Sequence, residues 1–139
     1  MVQGLSHITF IVRDLDRMQD ILERVFDAQK VYDSGKEIFS LSRERFFLIG
    51  EGADQLWIAT MEGDALPTRT YNHIAFKISE ENYENYLGRI RSLGLEFQAG
   101  RSRVPGEGQS IYFYDDDNHM FELHTGTLDE RLKRYAKGQ

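Results

Sequence analysis

Glu122 is a carboxylate that stands between two large apolar residues, Phe121 and Leu123, in a stretch that alternates like a β-strand. Burying a carboxylate without a partner costs on the order of several kcal/mol. The side chain is therefore expected to be neutral, paired with a base or bound to a metal, unless it lies on a solvated face of its strand.

Two histidines are the residues that would complete a metal site with this carboxylate. His7 stands in the segment SHITF and His73 in the segment NHIAF, and aligning the two segments places one histidine on the other. Each histidine alone is better explained as a core residue with satisfied hydrogen bonds. Together with Glu122 they supply two imidazoles and one carboxylate, which leave coordination positions open as a catalytic divalent-metal site requires. His124, two residues further on the same face, is a competing ligand.

A duplicated unit would position these residues. The segment FDAQKVYDSG in the first half parallels SLGLEFQAG in the second, and both halves predict the order strand–helix–strand–strand–strand. The predicted repeats and a closing helix cover about residues 5–63, 71–126 and 128–137. Because one such unit cannot cover its own apolar sheet face, we expect a single α+β domain over residues 1–139 with one curved sheet surface. In the first repeat, Ala59 falls close to the position that Glu122 occupies in the second. The two repeats therefore offer four equivalent positions, of which only three carry a side chain that can bind a metal.

Two local features of the first repeat bear on the site. Residues 37–42 and 45–50 predict a pair of strands around Arg43 and Glu44. Residues 51–55, which contain glycine and charged side chains, predict a longer surface hairpin.

The composition limits the class of protein. Of 139 residues, 40% are hydrophobic and 29% charged, which is typical of a globular protein. A net charge of −6 argues against non-specific nucleic-acid binding, and the lack of cysteine excludes disulfides and thiolate chemistry. No apolar run approaches the roughly 20 residues that span a bilayer, and the segment MVQGLSHITF does not have the pattern of a signal peptide. We therefore expect a cytoplasmic protein that binds neither membrane nor nucleic acid.

The segments SHITFIVRDL, YNHIAF, GEGQSIYFYDDDNHMFELH and GTLDERLKRY resemble the vicinal-oxygen-chelate (glyoxalase/bleomycin resistance/dioxygenase) superfamily. Within it they resemble the fosfomycin-resistance proteins of the FosX type, from Gly4 to Tyr135. The resemblance implies tandem βαβββ repeats in a domain-swapped homodimer, in which His7 of one chain joins His73 and Glu122 of the other. It also implies Mn²⁺ as the usual metal, with other divalent ions possible, and an epoxide hydrolase that inactivates the antibiotic fosfomycin by adding water.

The same resemblance assigns roles to further residues. It makes Glu44 the general base that takes a proton from water, although the residue types alone fit equally a turn carboxylate paired with a neighbouring arginine. A phosphonate dianion needs a pocket lined by cations and hydroxyl groups. The implied substrate-binding residues are Thr9, Arg103, Ser110, Tyr112 and Arg131.

Three other functions share this fold. A thiol (glutathione-type) transferase acting on fosfomycin is disfavoured because residues 101–108 lack the lysine-and-serine pattern of the potassium-binding loop of that type. An extradiol dioxygenase would need an acid–base histidine near the metal, for which His124 is the candidate. A drug-sequestering module would not need the three predicted ligands.

Overall fold

A computed structural model describes residues 1–100 and 108–138 of the chain. The chain forms two compact units, Met1–Pro67 and Thr68–Gln139, and each predicted repeat falls within one of them. Within the described residues, each unit contains a four-stranded sheet and the order strand–helix–strand–strand–strand. The predicted α+β class and the tandem βαβββ repeats are confirmed.

The first unit is built on a mixed sheet. Its elements are β1 (His7–Val12), α1 (Leu15–Phe26), β2 (Gln29–Asp33), β3 (Glu44–Ile49) and β4 (Leu56–Glu62). The strands lie in the order β1-β4-β3-β2, with β1 parallel to β4 and the other neighbours antiparallel. The parallel pair requires a crossover connection, which the helix and the two intervening strands provide.

The helix α1 has a well-defined start and end. The side chain of Asp14 accepts hydrogen bonds from the backbone N–H groups of Asp16 (2.9 Å) and Arg17 (3.1 Å), which caps the first turn. Asp27 ends the helix in the left-handed conformation with φ 55°. The buried side chains recur at helical spacing and form one apolar face: Leu15, Met18, Ile21, Leu22, Val25 and Phe26.

The first sheet has two chemically different faces. Along β1, Phe10 and Val12 are buried and alternate with His7 and Thr9, which are exposed. In the neighbouring strands, Phe47 and Ile58 are fully buried. The alternation therefore separates a core face from a face that carries His7 and Thr9.

The second unit repeats this plan and adds a closing helix. Its elements are β5 (His73–Lys77), a 3₁₀ turn (Glu80–Asn82), α2 (Tyr83–Ser92), β6 (Phe97–Gly100), β7 (Ser110–Tyr114), β8 (Met120–His124) and α3 (Leu128–Lys137). The strand order β5-β8-β7-β6, with β5 parallel to β8, matches that of the first sheet. Across the described residues, every helix is too short or too polar to cross a membrane.

The β7–β8 hairpin follows the sequence prediction, and its turn is held by Asp115. One oxygen of this buried carboxylate accepts hydrogen bonds from the backbone N–H groups of Asp117 and His119, both at 2.9 Å. The other oxygen lies 2.7 Å from Nδ1 of His119. The turn fixes a register in which Tyr112 lies opposite Glu122.

The internal registers of the two sheets correspond. In the parallel pairs, Thr9 lies opposite Ala59 in the first unit and Ala75 lies opposite Glu122 in the second. His7 stands two residues before Thr9 in β1, and His73 stands two residues before Ala75 in β5. Ala59 thus occupies the position equivalent to Glu122, as the sequence predicted.

One predicted strand is wrong. Residues 37–42 form no strand, and Glu44 opens β3 instead of lying in a turn. The reason is that β3 already pairs with β2 on one edge and β4 on the other, so no edge remains for another strand. The apolar side chains of Ile38, Phe39 and Leu41 are left exposed.

The connection between β3 and β4 is an exposed turn, in agreement with the predicted surface hairpin. A short 3₁₀ helix, Gly52–Asp54, forms its tip. Gly50 has φ 81°, and a Cβ atom there would lie 2.8 Å from the carbonyl oxygen of Asp54. This position therefore requires glycine.

Candidate metal centre

His73 and Glu122 meet across the parallel strands β5 and β8, although 49 residues separate them in sequence. The Nε2 atom of His73 lies 2.9 Å from Oε1 of Glu122. The side chain of Glu122 is 8% exposed and that of His73 is 22% exposed. The structure therefore brings two of the three predicted metal ligands into direct contact in the second unit.

The hydrogen bonds of His73 indicate which of its ring nitrogens carries a proton, and therefore whether a donor or an acceptor faces Glu122. Its Nδ1 atom lies 2.7 Å from the carbonyl oxygen of Tyr71, which can only accept, so Nδ1 carries a proton. In the neutral imidazole, Nε2 then directs a lone pair at an oxygen of Glu122 that also has only lone pairs to offer. Either a second proton on the imidazole or a metal ion would satisfy these two facing groups. A histidine that donates its other nitrogen to a carbonyl is the usual arrangement of a metal ligand. These residues therefore fit a divalent metal ion.

The second oxygen of Glu122 accepts a hydrogen bond from Ser110 of its own sheet and lies near His124. Oε2 lies 2.6 Å from Oγ of Ser110 and 3.3 Å from Nδ1 of His124. Ser110 Oγ also lies 2.8 Å from the same nitrogen of His124. The buried carboxylate is thus compensated on one oxygen, while its other oxygen faces His73.

Tyr112 lies beside this pair, opposite Glu122 in the β7–β8 register. Its ring meets the ring of His73 edge-on with centroids 5.5 Å apart, and its hydroxyl lies 3.4 Å from that of Tyr71. Burial, the hydrogen bond with Tyr71 and the negative charge of Glu122 all raise the pKa of Tyr112. The phenol therefore stays protonated at neutral pH and is available as a hydrogen-bond donor.

A cavity of about 270 Å³ opens next to Tyr112 in the second unit. It is lined by Glu96, Phe97, Gln98, Tyr112, Tyr114 and Met120. The predicted substrate-binding tyrosine therefore borders this cavity as well as the predicted metal ligands.

His7, the third predicted ligand, lies in the first unit on the exposed face of β1. Its ring packs on Trp57 with centroids 4.1 Å apart, and its Nδ1 atom lies 3.0 Å from Oγ of Ser6. Its Nε2 atom makes no hydrogen bond with any residue that the structure describes. The imidazole is therefore oriented through one nitrogen and offers the other as a ligand.

Glu44 is a buried carboxylate on the same face of the first sheet as His7 and Thr9. The register shows this, because Glu44 lies opposite Met61, which lies opposite Ile11, two residues after Thr9 in β1. The expected turn pairing with arginine is absent within the described residues, where the carboxylate makes no ion pair or hydrogen bond.

Both neighbouring arginines are occupied elsewhere. Arg43 pairs with Glu62, and Arg45 forms ion pairs with Asp16 (2.8 Å) and Asp33 (3.1 Å). The lone pairs of Glu44 are consequently available to accept a proton.

Of the remaining predicted residues, one lies on the closing helix. Arg131 stands in the first turns of α3, which is capped by Thr127, and its guanidinium forms no ion pair with a described carboxylate. Arg103 lies outside the described residues. Over residues 1–100 and 108–138, no three histidine, aspartate or glutamate side chains form a metal-binding group by themselves.

Comparison with known proteins identifies the family. The model of the Glyoxalase/Bleomycin resistance protein/Dioxygenase superfamily matches residues 4–123. The fosfomycin resistance protein FosX from Mesorhizobium japonicum is 63% identical over 138 residues, which cover 99% of this chain and 96% of that protein. The chain belongs to this superfamily and, within it, to the FosX family.

Solved structures of the family agree with the fold. The crystal structure of FosX from Mesorhizobium loti is 60% identical and covers 96% of this chain and 100% of its own, with a TM-score of 0.82. A glutamate-to-glutamine mutant of FosX from Listeria monocytogenes was crystallised with Mn(II) and 1S,2S-dihydroxypropylphosphonic acid. It is 55% identical, covers 97% of this chain and 99% of its own, and has a TM-score of 0.84. The resemblance drawn from the sequence motifs is confirmed.

The sequence did not reveal how the carboxylate of Glu122 is held. The sequence indicates His124 as a competing ligand or an acid–base histidine and Ser110 as a contact of the phosphonate. In the structure Ser110 contacts both His124 and Glu122. The alternation of Glu122 and His124 with Phe121 and Leu123 indicates that these two share a face, but only the paired register shows that Ser110 lies opposite His124.

Proposed function

We propose that this protein is a Mn(II)-dependent fosfomycin resistance enzyme that opens the epoxide of fosfomycin by adding water. The FosX relatives are named fosfomycin resistance proteins, and one of them was crystallised with Mn(II) and a dihydroxypropylphosphonic acid. Such a diol is what addition of one water molecule to an epoxypropylphosphonate gives. The observation in this chain that carries the proposal is the contact between His73 Nε2 and Glu122 Oε1, a pair that a divalent metal ion would satisfy.

The metal would be held by His7, His73 and Glu122. This set has two imidazoles and one carboxylate, which suits Mn²⁺ and leaves positions open for substrate. When bound, the ion supplies Lewis-acid polarisation of the epoxide oxygen and partial neutralisation of the phosphonate charge.

Glu44 is the general base. It accepts a proton from the attacking water, so that a neutral molecule acts with the nucleophilicity of a developing hydroxide. Two features support this role: its carboxylate is buried, and it has no ion-pair partner among the described residues. Its place on the sheet face of His7 and Thr9 supports it further.

The phosphonate is held by hydrogen-bond donors and cations. Thr9 contributes an exposed hydroxyl beside His7 on β1, and Tyr112 contributes a phenol that stays protonated. Arg131 and Arg103 supply positive charge that a dianion requires. Ser110 remains in the predicted set, although its hydroxyl is directed at Glu122 and would have to turn to reach the phosphonate.

The enzyme acts in the cytoplasm as a homodimer in which His7 of one chain completes the site of the other. Exposed apolar side chains support such an assembly, because a monomer rarely leaves many of them in water. They are Ile38, Phe39 and Leu41 in the first unit and Leu128, Leu132 and Tyr135 on α3.

Phosphorus NMR tests the reaction directly. The protein loaded with Mn²⁺ is incubated with fosfomycin, with and without added thiol, and the phosphonate products are followed over time. We expect the diol in both samples, at equal rates and only with metal. Formation of a thiol adduct in preference to the diol would replace hydration by thiol transfer, and no product in either sample would reject the proposed activity.

A further inference from the structure

A series of hydrogen bonds connects His124 to Oε2 of Glu122, the carboxylate oxygen that does not face His73. Ser110 lies opposite His124 across the β7–β8 pair, and both side chains share the sheet face of Glu122. The distances are 2.8 Å from His124 Nδ1 to Ser110 Oγ and 2.6 Å from Ser110 Oγ to Glu122 Oε2. Three side chains from two strands therefore form one continuous chain of contacts.

The direction of these hydrogen bonds follows from the groups involved. A carboxylate oxygen only accepts, so the single proton of the Ser110 hydroxyl is donated to Oε2 of Glu122. The hydroxyl oxygen must then accept from its other neighbour, so Nδ1 of His124 carries a proton and donates it. The chain runs in one direction, from His124 through Ser110 to Glu122.

The backbone beyond this contact keeps it rigid. The N–H of Thr125 donates to the carbonyl oxygen of Gln109 at 3.1 Å. The N–H of Gln109 donates to the side chain of Thr125 at 2.8 Å. The β7–β8 ladder thus continues past Ser110 and His124, which fixes the separation of the two side chains.

We infer that His124 is a positioning residue for the metal ligand Glu122 and acts through Ser110. By donating to Ser110, it fixes the rotation of the hydroxyl so that the hydroxyl proton points at Oε2. This bond orients the carboxylate with Oε1 toward Nε2 of His73. The inference rests on the proposed function, because it concerns the same metal site.

The expected size of the effect comes from other metal proteins. Hydrogen bonds to ligating groups typically change metal affinity by about 10- to 100-fold when they are removed. His124 is well placed for such a role and not for direct ligation through Nδ1, because that nitrogen is already bonded to Ser110.

Mn²⁺ affinity, measured by titration calorimetry on the full chain, tests the inference without depending on catalysis. His124→Leu removes the donor but keeps the bulk, whereas His124→Asn keeps a side-chain N–H close to the position of Nδ1. Ser110→Ala breaks the chain at its middle. His119→Leu, which removes another histidine–carboxylate contact of the same hairpin, is the control.

The inference predicts weaker Mn²⁺ binding, by about 10- to 100-fold, for His124→Leu and for Ser110→Ala. The double variant should lose no more than either single one, because both substitutions break the same chain. His124→Asn should restore most of the affinity, and His119→Leu should leave it unchanged. The Tm of the metal-free variants checks that each one folds; if His124→Leu does not, Ser110→Ala and His124→Asn still decide the question.

Two results would overturn the inference while the proposed function survives. Wild-type affinity for Mn²⁺ in His124→Leu would show that the histidine positions nothing. Additive losses in the double variant, without rescue by asparagine, would make His124 a ligand in its own right. A wild-type protein that binds no Mn²⁺ would instead overturn the proposed function together with the inference.

Discussion

At the scale of single residues, we propose that three ligand side chains and one base carry the chemistry of this protein. In the neutral imidazole, hydrogen bonding to the Tyr71 carbonyl leaves Nε2 of His73 as an acceptor that faces Glu122, a pair that a divalent metal ion would satisfy. The Nε2 atom of His7 makes no hydrogen bond with a described residue. Both observations fit ligands that bind one divalent ion.

Removing any one of these ligands should remove the metal. We expect His7→Ala, His73→Ala and Glu122→Ala each to lose Mn²⁺ and activity together, because two ligands hold a divalent ion far less tightly than three. Metal content after dialysis, measured by elemental analysis, checks the outcome. Full occupancy in all three variants would place the metal elsewhere.

Replacing the proposed base should slow the chemical step and spare binding. Glu44→Gln keeps the shape of the side chain but cannot take a proton, and positioned general bases contribute about 10² to 10⁴-fold to the rate. We expect kcat to fall within that range while Mn²⁺ affinity stays the same.

The matched control for this change is Glu62→Gln, which alters an exposed carboxylate of the same unit that pairs with Arg43. It should hydrate fosfomycin at the wild-type rate. If Glu44→Gln does so too, another group must activate the water.

At the scale of secondary-structure elements, the turn after β2 holds the start of β3 in place. Ser34 is buried, and its Oγ accepts a hydrogen bond of 2.9 Å from the backbone N–H of Glu44. Its own N–H donates to the carbonyl oxygen of Glu44 at 3.0 Å. The proposed base is therefore fixed at its backbone by two bonds to one residue.

Ser34→Ala should destabilise the fold at this point. It leaves the buried N–H of Glu44 without its acceptor, which costs about 1 to 3 kcal/mol. Urea denaturation should show this loss in the free energy of unfolding with an unchanged m-value. Ser42→Ala, an exposed serine of the same loop, should change stability by less than about 0.5 kcal/mol. Equal stability of the two variants would mean that the Ser34 bond contributes nothing.

The sequence predicts elements well where local pattern and long-range pairing agree. Alternation on both sides of a polar turn is sufficient for the β7–β8 hairpin, and the repeat places His7 and His73 in equivalent strands. Residues 37–42 mislead because their apolar side chains suggest a strand that pairs with β3, whereas β3 already pairs with β2 and β4 and has no free edge.

The details of the site are less accessible to sequence. Two such details are the contact between Ser110 and His124 and the lack of any described partner for the carboxylate of Glu44. Both depend on which side chains occupy facing positions in three dimensions. Local sequence around Glu44 even favours the wrong partner, since arginines stand on both sides of it. Their charges are used by Glu62, Asp16 and Asp33, which lie far away in the chain.

At the scale of the whole molecule, the proposal requires that two chains share each metal site. Mixing His7→Ala with Glu122→Ala, each inactive alone, should restore activity after subunit exchange. In a mixed dimer one site has both defects and the other has none, so about a quarter of the wild-type sites are expected after statistical exchange. The hydration rate of the mixture measures this recovery. No recovery, with exchange shown by tagged subunits, would mean that each chain builds its own site.

The central claim is that water is the nucleophile, and isotope labelling tests it most directly. Fosfomycin is turned over by the Mn²⁺-loaded protein in water enriched in ¹⁸O, and the product is examined by mass spectrometry and phosphorus NMR. The account predicts a dihydroxypropylphosphonic acid with one ¹⁸O on the carbon bonded to phosphorus, since the original epoxide oxygen stays on the neighbouring carbon. A diol without the label, or with the label on the other carbon, would contradict it.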